Sequence, residues 1–237
     1  MIFHKYHIQK KKIMIKKFEE FVNESIFDGY DGWKTTSTHE VRTPLPRKEV
    51  FKLREQFKDI SNCVTAIINK DEKEIKELLW KKRGMIVCSM AGARLTHSIE
   101  DAILKSNGTE EDVLTIPDDT KITESILYEF LYKYNNKLIV IEDFEKILNN
   151  PRCYSMLKYA MSERETEREI YSPNPSIEDD IPTQFTFNGY IMLTSRTRLE
   201  ELIKKYSLNS IIHRCEVFNI FPDEEFKNTY IDRKRNY

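Results

Sequence analysis

The chain has 237 residues, with 38 Lys and Arg against 39 Asp and Glu, and a formal net charge of -1. This length has room for one α/β domain and an N-terminal extension, and 40% hydrophobic with 32% charged residues excludes a disordered or fibrous protein. The near-neutral balance also excludes a global field that attracts nucleic acid or membranes, so such a contact has to be local.

The apolar runs are too short for a membrane span, because none approaches the roughly 20 residues that a transmembrane helix needs. The cysteines are far apart, and their spacing matches no metal-binding pattern. We therefore expect free thiols in a reducing cytosol, in a soluble cytoplasmic protein without a membrane partner. The four cysteines are Cys63, Cys88, Cys153 and Cys215.

The chain begins with a basic segment, since six lysines and no acid occur in its first seventeen residues. A stretch rich in Gly, Thr and Pro follows, so residues 1–46 are predicted to be a basic arm and linker. The arm is a candidate contact for nucleic acid, and a merely solvated terminus is the alternative. We predict a folded core over 47–220 and a short tail over 221–237.

The core begins with two predicted helices between Arg47 and Lys82, because apolar residues recur there at helical spacing with a break near residues 69–72. A short apolar run, Gly84–Cys88, predicts a strand buried on both faces. A loop of small residues and a helix over about 97–105 follow it.

The strand and helix alternation then repeats along the chain. We predict strands over 113–116, 137–141, 190–194 and 216–220, with helices over 122–134, 153–161 and 198–206. The charged, proline-broken segment 162–182 is predicted to be a long surface loop. Alternation at this spacing indicates βαβ crossovers, and therefore an α/β fold with a five-stranded parallel sheet and helices on both faces.

The most specific local signal is LIVIED, Leu138–Asp143, in which an apolar strand ends in two adjacent carboxylates. Parallel sheets bind ligands at the carboxyl ends of their strands, where a carboxylate pair can hold Mg²⁺ and orient a water. A strand that simply ends in polar loop residues is the alternative interpretation.

Three segments in order, YKYNNKLIVIEDFEKIL, PTQFTFNGYIMLTSR and IIHRCEVF, resemble the Walker B, sensor 1 and arginine-finger segments of AAA+ ATPases. The chain is similar in particular to small AAA+ proteins of tailed phages, over about 84–220. The resemblance implies a three-layer P-loop NTPase core that takes ATP and Mg²⁺, and a host-cytoplasmic or virion location if the protein is phage-encoded.

The resemblance also implies roles for individual residues. Glu142 stands at the Mg²⁺-linked position and Asp143 at that of the acid which polarises the attacking water. Ser195 stands at sensor 1, and Arg214 at the position that reaches a neighbouring subunit's site. Alternatively, Ser195 caps the next helix and Arg214 pairs with an acid across a strand.

The phosphate-loop segment SMAGARLT departs from the family pattern. It keeps Gly92 and Thr96, the latter as a second metal ligand, but Arg94 replaces the final glycine and Leu95 replaces the lysine. Leucine offers phosphate neither charge nor a donor, whereas Arg94 is a candidate substitute cation. The tail is also too short for the helical lid that follows an AAA+ core.

These departures lead to two hypotheses. In the first, the chain is a degenerate, non-hydrolysing or weakly ATP-binding module that acts through protein or nucleic-acid partners or as a homo-oligomer. In the second, it is an active ATPase that uses Arg94, Thr96, Glu142 and Asp143 in an atypical site.

Overall fold

The computed structural model describes residues 47–89, 95–106, 109–173 and 181–221. For 47–54, 95–98, 101 and 110 only the backbone is described. Contacts group Gln56–Phe221 into one compact unit. The other unit comprises Met1–Glu55 and Pro222–Tyr237, of which only the start of the first helix is described. The division of the chain into residues 1–46, 47–220 and 221–237 stays a prediction.

Helices and strands alternate along the described chain. The helices are α1 (Arg47–Asn69), α2 (Glu72–Leu79), α3 (Leu95–Lys105), α4 (Glu124–Lys133), α5 (Glu145–Leu148), α6 (Pro151–Ala160), α7 (Leu199–Tyr206) and α8 (Asn209–Ile212). The strands are β1 (Gly84–Ser89), β2 (Val113–Ile116), β3 (Leu138–Ile141), β4 (Glu169–Tyr171), β5 (Gln184–Thr186), β6 (Tyr190–Ser195) and β7 (Cys215–Ile220). Short 3₁₀ turns lie at Glu110–Asp112 and Glu165–Glu167.

Local signals in the sequence explain where several helices begin. The side chain of Asp71 accepts a hydrogen bond from the backbone N–H of Glu74, which caps α2. Thr123 caps α4 in the same way, and Asn150 caps α6 immediately before a proline at the first helical position. Each cap satisfies backbone donors that have no partner within the helix.

Five strands form a parallel sheet in the order β2, β3, β6, β1, β7. Every residue of β1 and β3 is buried, and because side chains alternate between the two faces, both faces of the sheet must be covered. The predicted fold class is therefore confirmed: the protein has a three-layer, P-loop NTPase-like α/β fold.

The segment 162–182 differs from its prediction as a long surface loop. Its residues Glu169–Tyr171 form β4, which pairs antiparallel with β5 in a separate two-stranded sheet. Ile170 at the centre of β4 is 1% exposed and belongs to the core cluster. The prolines and charges of the segment hid this strand, whose single buried residue gives no periodicity to read.

All four cysteines are free and buried, as the free-thiol prediction requires. Within the described ranges, no helix is long and apolar enough to cross a membrane.

Candidate site at the carboxyl edge of the sheet

The parallel strands bring their carboxyl ends to one edge of the sheet, and the predicted acids lie there. Glu142 and Asp143 follow β3 directly, and Ser195 is the last residue of the neighbouring strand β6. Strand pairing places Ile141 beside Leu193, so the two strand ends are adjacent. The structure therefore brings Asp143 and Ser195 to the same part of the molecule.

Backbone hydrogen bonds hold the turn after β3 between its two neighbouring strands. The N–H of Glu142 donates to the carbonyl of Ile116 at 3.0 Å, and that of Phe144 donates to the carbonyl of Thr194 at 3.2 Å. Phe144 is fully buried, whereas Asp143 has a left-handed backbone with φ of 44°. The buried phenyl ring and the two hydrogen bonds fix this turn, so that Asp143 projects from a defined position.

The side chains at this edge form what we call the strand-end cluster: Asp118, Asp143, Glu145, Ser195 and Arg196. Arg196 lies between two of its acids. Its Nε is 3.6 Å from Oδ1 of Asp143, and its Nη2 is 3.4 Å from Oδ2 of Asp118. The guanidinium thus joins the ends of β2, β3 and β6 electrostatically.

Ser195 has two hydrogen-bonding partners in the cluster region. Its hydroxyl donates to Oε1 of Glu145 and accepts from the backbone N–H of Thr197 at 2.9 Å. Ser195 therefore supports the turn after β6 rather than capping the following helix α7, whose N-cap residue is Arg198. The other carboxylate oxygen of Glu145, Oε2, is buried without a hydrogen-bond partner among the described residues.

Burial is the main influence on the titration of Asp143. Partial removal from water raises the pKa of this carboxyl, and the negative charges of Glu145 and Asp118 raise it further. Arg196 and Lys146 act in the opposite direction but do not cancel the rise. A carboxyl with a raised pKa at the carboxyl edge of a parallel sheet is suited to holding or passing a proton.

The predicted phosphate-loop residues are described only in part. Gly92 and Arg94 lie outside the described residues. Leu95 and Thr96 are the first two residues of α3, the helix that follows β1. A P-loop lysine and its hydroxyl neighbour occupy the start of such a helix, where backbone N–H groups and the helix dipole favour an anion.

Arg214 lies at the opposite edge of the sheet from the strand-end cluster. It directly precedes β7, and its carbonyl accepts a hydrogen bond from the N–H of Gly84 at the start of β1. Its Nη1 donates to the carbonyl of Ser210 at 2.5 Å, and its Nε is buried without a described partner. The structure therefore does not bring Arg214 together with Asp143 and Ser195 within one chain.

The described residues suit Mg²⁺ in ligand type but not in number. Glu142 and Asp143 supply the oxygen ligands that Mg²⁺ prefers, and Mg²⁺ commonly takes one or two carboxylates with phosphate and water. Within the described ranges, no group of three His, Cys, Asp or Glu residues is arranged to hold a metal ion. A bound cation at this edge therefore requires additional ligands such as phosphate oxygens and water.

Three members of the cluster were missed by the sequence analysis: Asp118, Glu145 and Arg196. A usable signal existed for Asp118 and Arg196, since both follow a predicted parallel strand within two residues. The sequence signal for Glu145 was weaker, because its contact with Ser195 depends on the left-handed turn at Asp143.

No family model matches the chain, and no curated protein matches its sequence. Among solved structures, it is similar to NtrX from Brucella abortus in complex with ATP, with 12% identity and a TM-score of 0.44 over 90% of this chain and 43% of that one. The ADP complex of NtrX gives 12% identity and a TM-score of 0.43 over 91% and 42%. A DNA polymerase III gamma subunit-related protein from Thermotoga maritima gives 13% identity and a TM-score of 0.36 over 68% and 48%.

The chain spans less than half the length of each of these solved chains. At such identities and TM-scores, the likenesses give this chain neither an activity nor a ligand. The fold assignment rests on its own parallel sheet and the helices that flank it.

Proposed function

We propose that the chain is an AAA+-like module with a degenerate nucleotide site, which binds ATP weakly, hydrolyses it little or not at all, and acts through protein or nucleic-acid partners. The resemblance to small AAA+ proteins of tailed phages extends the proposal to a phage-encoded protein in the host cytoplasm or virion. A pseudo-ATPase of this kind uses the fold as a binding scaffold.

The observation that carries the proposal is Leu95 at the first position of α3. A lysine there neutralises phosphate charge, and a leucine cannot replace either its charge or its donors. Loss of one such electrostatic contact to a transition state lowers rates by about 10²- to 10³-fold.

The strand-end cluster supports the same conclusion. Asp143 is in contact with Arg196, and Ser195 is hydrogen-bonded to Glu145, so both groups have partners within the chain. To act on a nucleotide, each has to give up part of an existing interaction. In this proposal Glu142 and Thr96 are the residues that would hold Mg²⁺, which would supply charge stabilisation to the phosphates when bound.

The alternative is an active AAA+ ATPase with an atypical phosphate loop. It is favoured by the raised pKa of Asp143, a property of acids that accept or release protons, and by the Oε2 of Glu145, which has no hydrogen-bond partner in the described part of the chain. In this alternative Arg94 takes the place of the lysine, and Arg214 acts on the site of a second copy.

Calorimetric titration with Mg-ATP and Mg-ADP tests the proposal, with thermal unfolding followed in parallel. We expect weak or no binding to the wild type, and at least about tenfold tighter binding to Leu95→Lys, because an added cation contacts phosphate. Ligand at 100 times its dissociation constant stabilises the folded state by about 2.7 kcal/mol, which thermal unfolding detects.

The matched control is Leu95→Met, which is similar in volume and adds no charge. Steady ATP hydrolysis by the wild type that disappears in Asp143→Asn would overturn the proposal in favour of the active ATPase.

A further inference from the structure

A cleft of about 610 Å³ opens at the amino-terminal edge of the sheet, opposite the strand-end cluster. Arg83 directly precedes β1, Asn136 lies two residues before β3, and Tyr190 is the first residue of β6. The strands have four to six residues, which separates the two edges by roughly 15–20 Å. The remaining lining comes mainly from α2 and the residues that flank it.

This cleft is locally basic in a chain whose net charge is -1. Five cationic side chains line it against two acidic ones, Glu72 and Glu163. Lys82 forms an ion pair with Glu216 at 2.9 Å, whereas no salt bridge within the described ranges engages Lys76 or Lys81. The cations that line what we call the basic cleft are Lys70, Lys76, Lys81, Lys82 and Arg83.

An exposed tryptophan lies among these cations. Trp80 is 75% exposed, although most tryptophans bury much of their surface. Its backbone has φ of 57° and ψ of -111°, which is unusual for a bulky residue. Lys70 and Asn136 also have positive φ, so three of the five described non-glycine residues of this kind line the cleft. Such backbone strain concentrates at ligand-binding sites.

A second arginine, Arg168, is buried near Arg83 and Tyr190, which form one wall of the cleft. The Arg83 guanidinium lies 4.7 Å from the centroid of the Tyr190 ring. Arg168 is 4% exposed, and its Nε and Nη1 have no hydrogen-bond partner among the described residues. Burial, and then the charge of Arg83, lower the pKa of Arg168. The Nη2 of Arg168 lies 3.9 Å from Oε1 of Glu165, which offsets its charge, so Arg83 is the cation that this wall presents to the cleft.

We propose that the basic cleft binds single-stranded nucleic acid, with Lys76 and Lys81 contacting phosphates and Trp80 stacking on a base. A basic groove together with exposed aromatic rings is how proteins bind single strands without sequence preference. Duplex nucleic acid does not present the faces of its bases to a side chain, and the carboxylates of an acidic peptide offer no planar ring that can stack on Trp80. The inference goes beyond the proposed nucleotide site, because it uses the opposite edge of the sheet and requires no ATP.

The test uses the full chain and the labelled oligonucleotides dT12 and rU12, with binding followed by fluorescence anisotropy at 50 and 200 mM salt. We expect Trp80→Ala to weaken binding of the preferred oligonucleotide by about tenfold, through loss of one stacked base. The double variant Lys76→Glu with Lys81→Glu should weaken it at least about tenfold, and should reduce the slope of log affinity against log salt by about 1.4.

The matched controls change exposed residues outside the cleft: Tyr159→Ala removes a ring, and Lys204→Glu reverses a charge. Both should bind as the wild type does, and thermal unfolding checks that every variant is folded.

Two outcomes would overturn the inference. In one, the cleft is not the binding site: either the wild type binds neither oligonucleotide, or the cleft variants bind like the wild type, which assigns the binding to another part of the chain such as the lysines of residues 1–46. In the other, inorganic polyphosphate competes as well as the oligonucleotide and Trp80→Ala has no effect, which identifies a site for anions without base stacking. Neither outcome affects the Mg-ATP titration of Leu95→Lys, so the two proposals fail independently.

Discussion

At the scale of single residues, Asp143 shows how position changes the chemistry of a predicted acid. Its place after β3 was readable from the sequence, but its left-handed backbone, its partial burial and its contact with Arg196 were not. Those three features come from the turn that Phe144 anchors in the core. The pKa of this carboxyl therefore depends mainly on its burial, and then on charges both near to it and distant from it in sequence.

The raised pKa of Asp143 has a consequence for stability. A carboxyl that holds its proton more tightly in the folded state destabilises that state as pH rises from the unfolded-state pKa to the folded-state pKa. Asparagine does not titrate, so Asp143→Asn should gain stability relative to the wild type across that acidic range and show a constant difference above it. Urea unfolding between pH 3 and pH 7 measures this difference.

The control for that experiment is Glu201→Gln, which removes an exposed acid from α7. A difference between Asp143→Asn and the wild type that does not vary with pH would contradict the assignment.

At the scale of elements, the close approach of β3 and β6 depends on Gly189. A β-carbon added there lies 2.5 Å from the carbonyl oxygen of Lys137 and 2.6 Å from the Phe187 ring. The N–H of Tyr190 donates to that same carbonyl at 2.9 Å, so the contact lies where the two strands begin to pair. Only glycine leaves room for the carbonyl.

Gly189→Ala should therefore cost roughly 1–3 kcal/mol of unfolding free energy, the usual range for overpacking a core. Gly84→Ala is the informative comparison, because its nearest atoms are the side-chain sulfurs of Cys215 and Met161, at 2.5 and 2.6 Å. Side chains shift more readily than a backbone carbonyl, so we expect the smaller loss at Gly84. Denaturant unfolding of both variants decides the order, and equal losses would contradict the argument.

At the scale of the whole molecule, the four buried thiols lie in different helices and strands, so their ionisation depends on the folding of the whole core. Burial raises the pKa of Cys63, Cys88 and Cys215 to about 12 and that of Cys153 to about 11. Unfolded thiols ionise near their ordinary value of 9.0, so the unfolded state loses protons that the folded state keeps. The thiols therefore leave the free energy of unfolding unchanged below about pH 9 and lower it as the pH rises above that value.

Each of the three thiols with a pKa of about 12 should add about 1.4 kcal/mol per pH unit to this decline between about pH 9.5 and 11. Cys63→Ala removes one such group, so its stability should decline less steeply than that of the wild type by that amount. Urea unfolding under reducing conditions at several alkaline pH values measures both slopes, and parallel declines would show that Cys63 is not protected in the folded state.

The sequence by itself determined the fold class and most element positions. Apolar runs of four to six residues that alternate with helical periodicities favour a parallel sheet with two covered faces, because the helices that connect such strands pack on both faces of the sheet and bury the runs. The same runs located Asp143 and Ser195 at one edge, since parallel strands end together. The strand β4 escaped this reasoning because three residues with one buried side chain carry too little pattern.

Only the tertiary structure decided what surrounds those residues. The pairing of Ser195 with Glu145, the bridge from Arg196 to two acids, and the packing of the Arg83 guanidinium on the Tyr190 ring all join segments distant in the chain. Hydrophobic periodicity reports which face of an element is buried, but side-chain contacts depend on turn geometry and on the order of strands in the sheet. The physical reason is that burial can be inferred from the pattern of hydrophobic residues that are neighbours in the chain. A site, in contrast, depends on distances between side chains that are far apart in the chain.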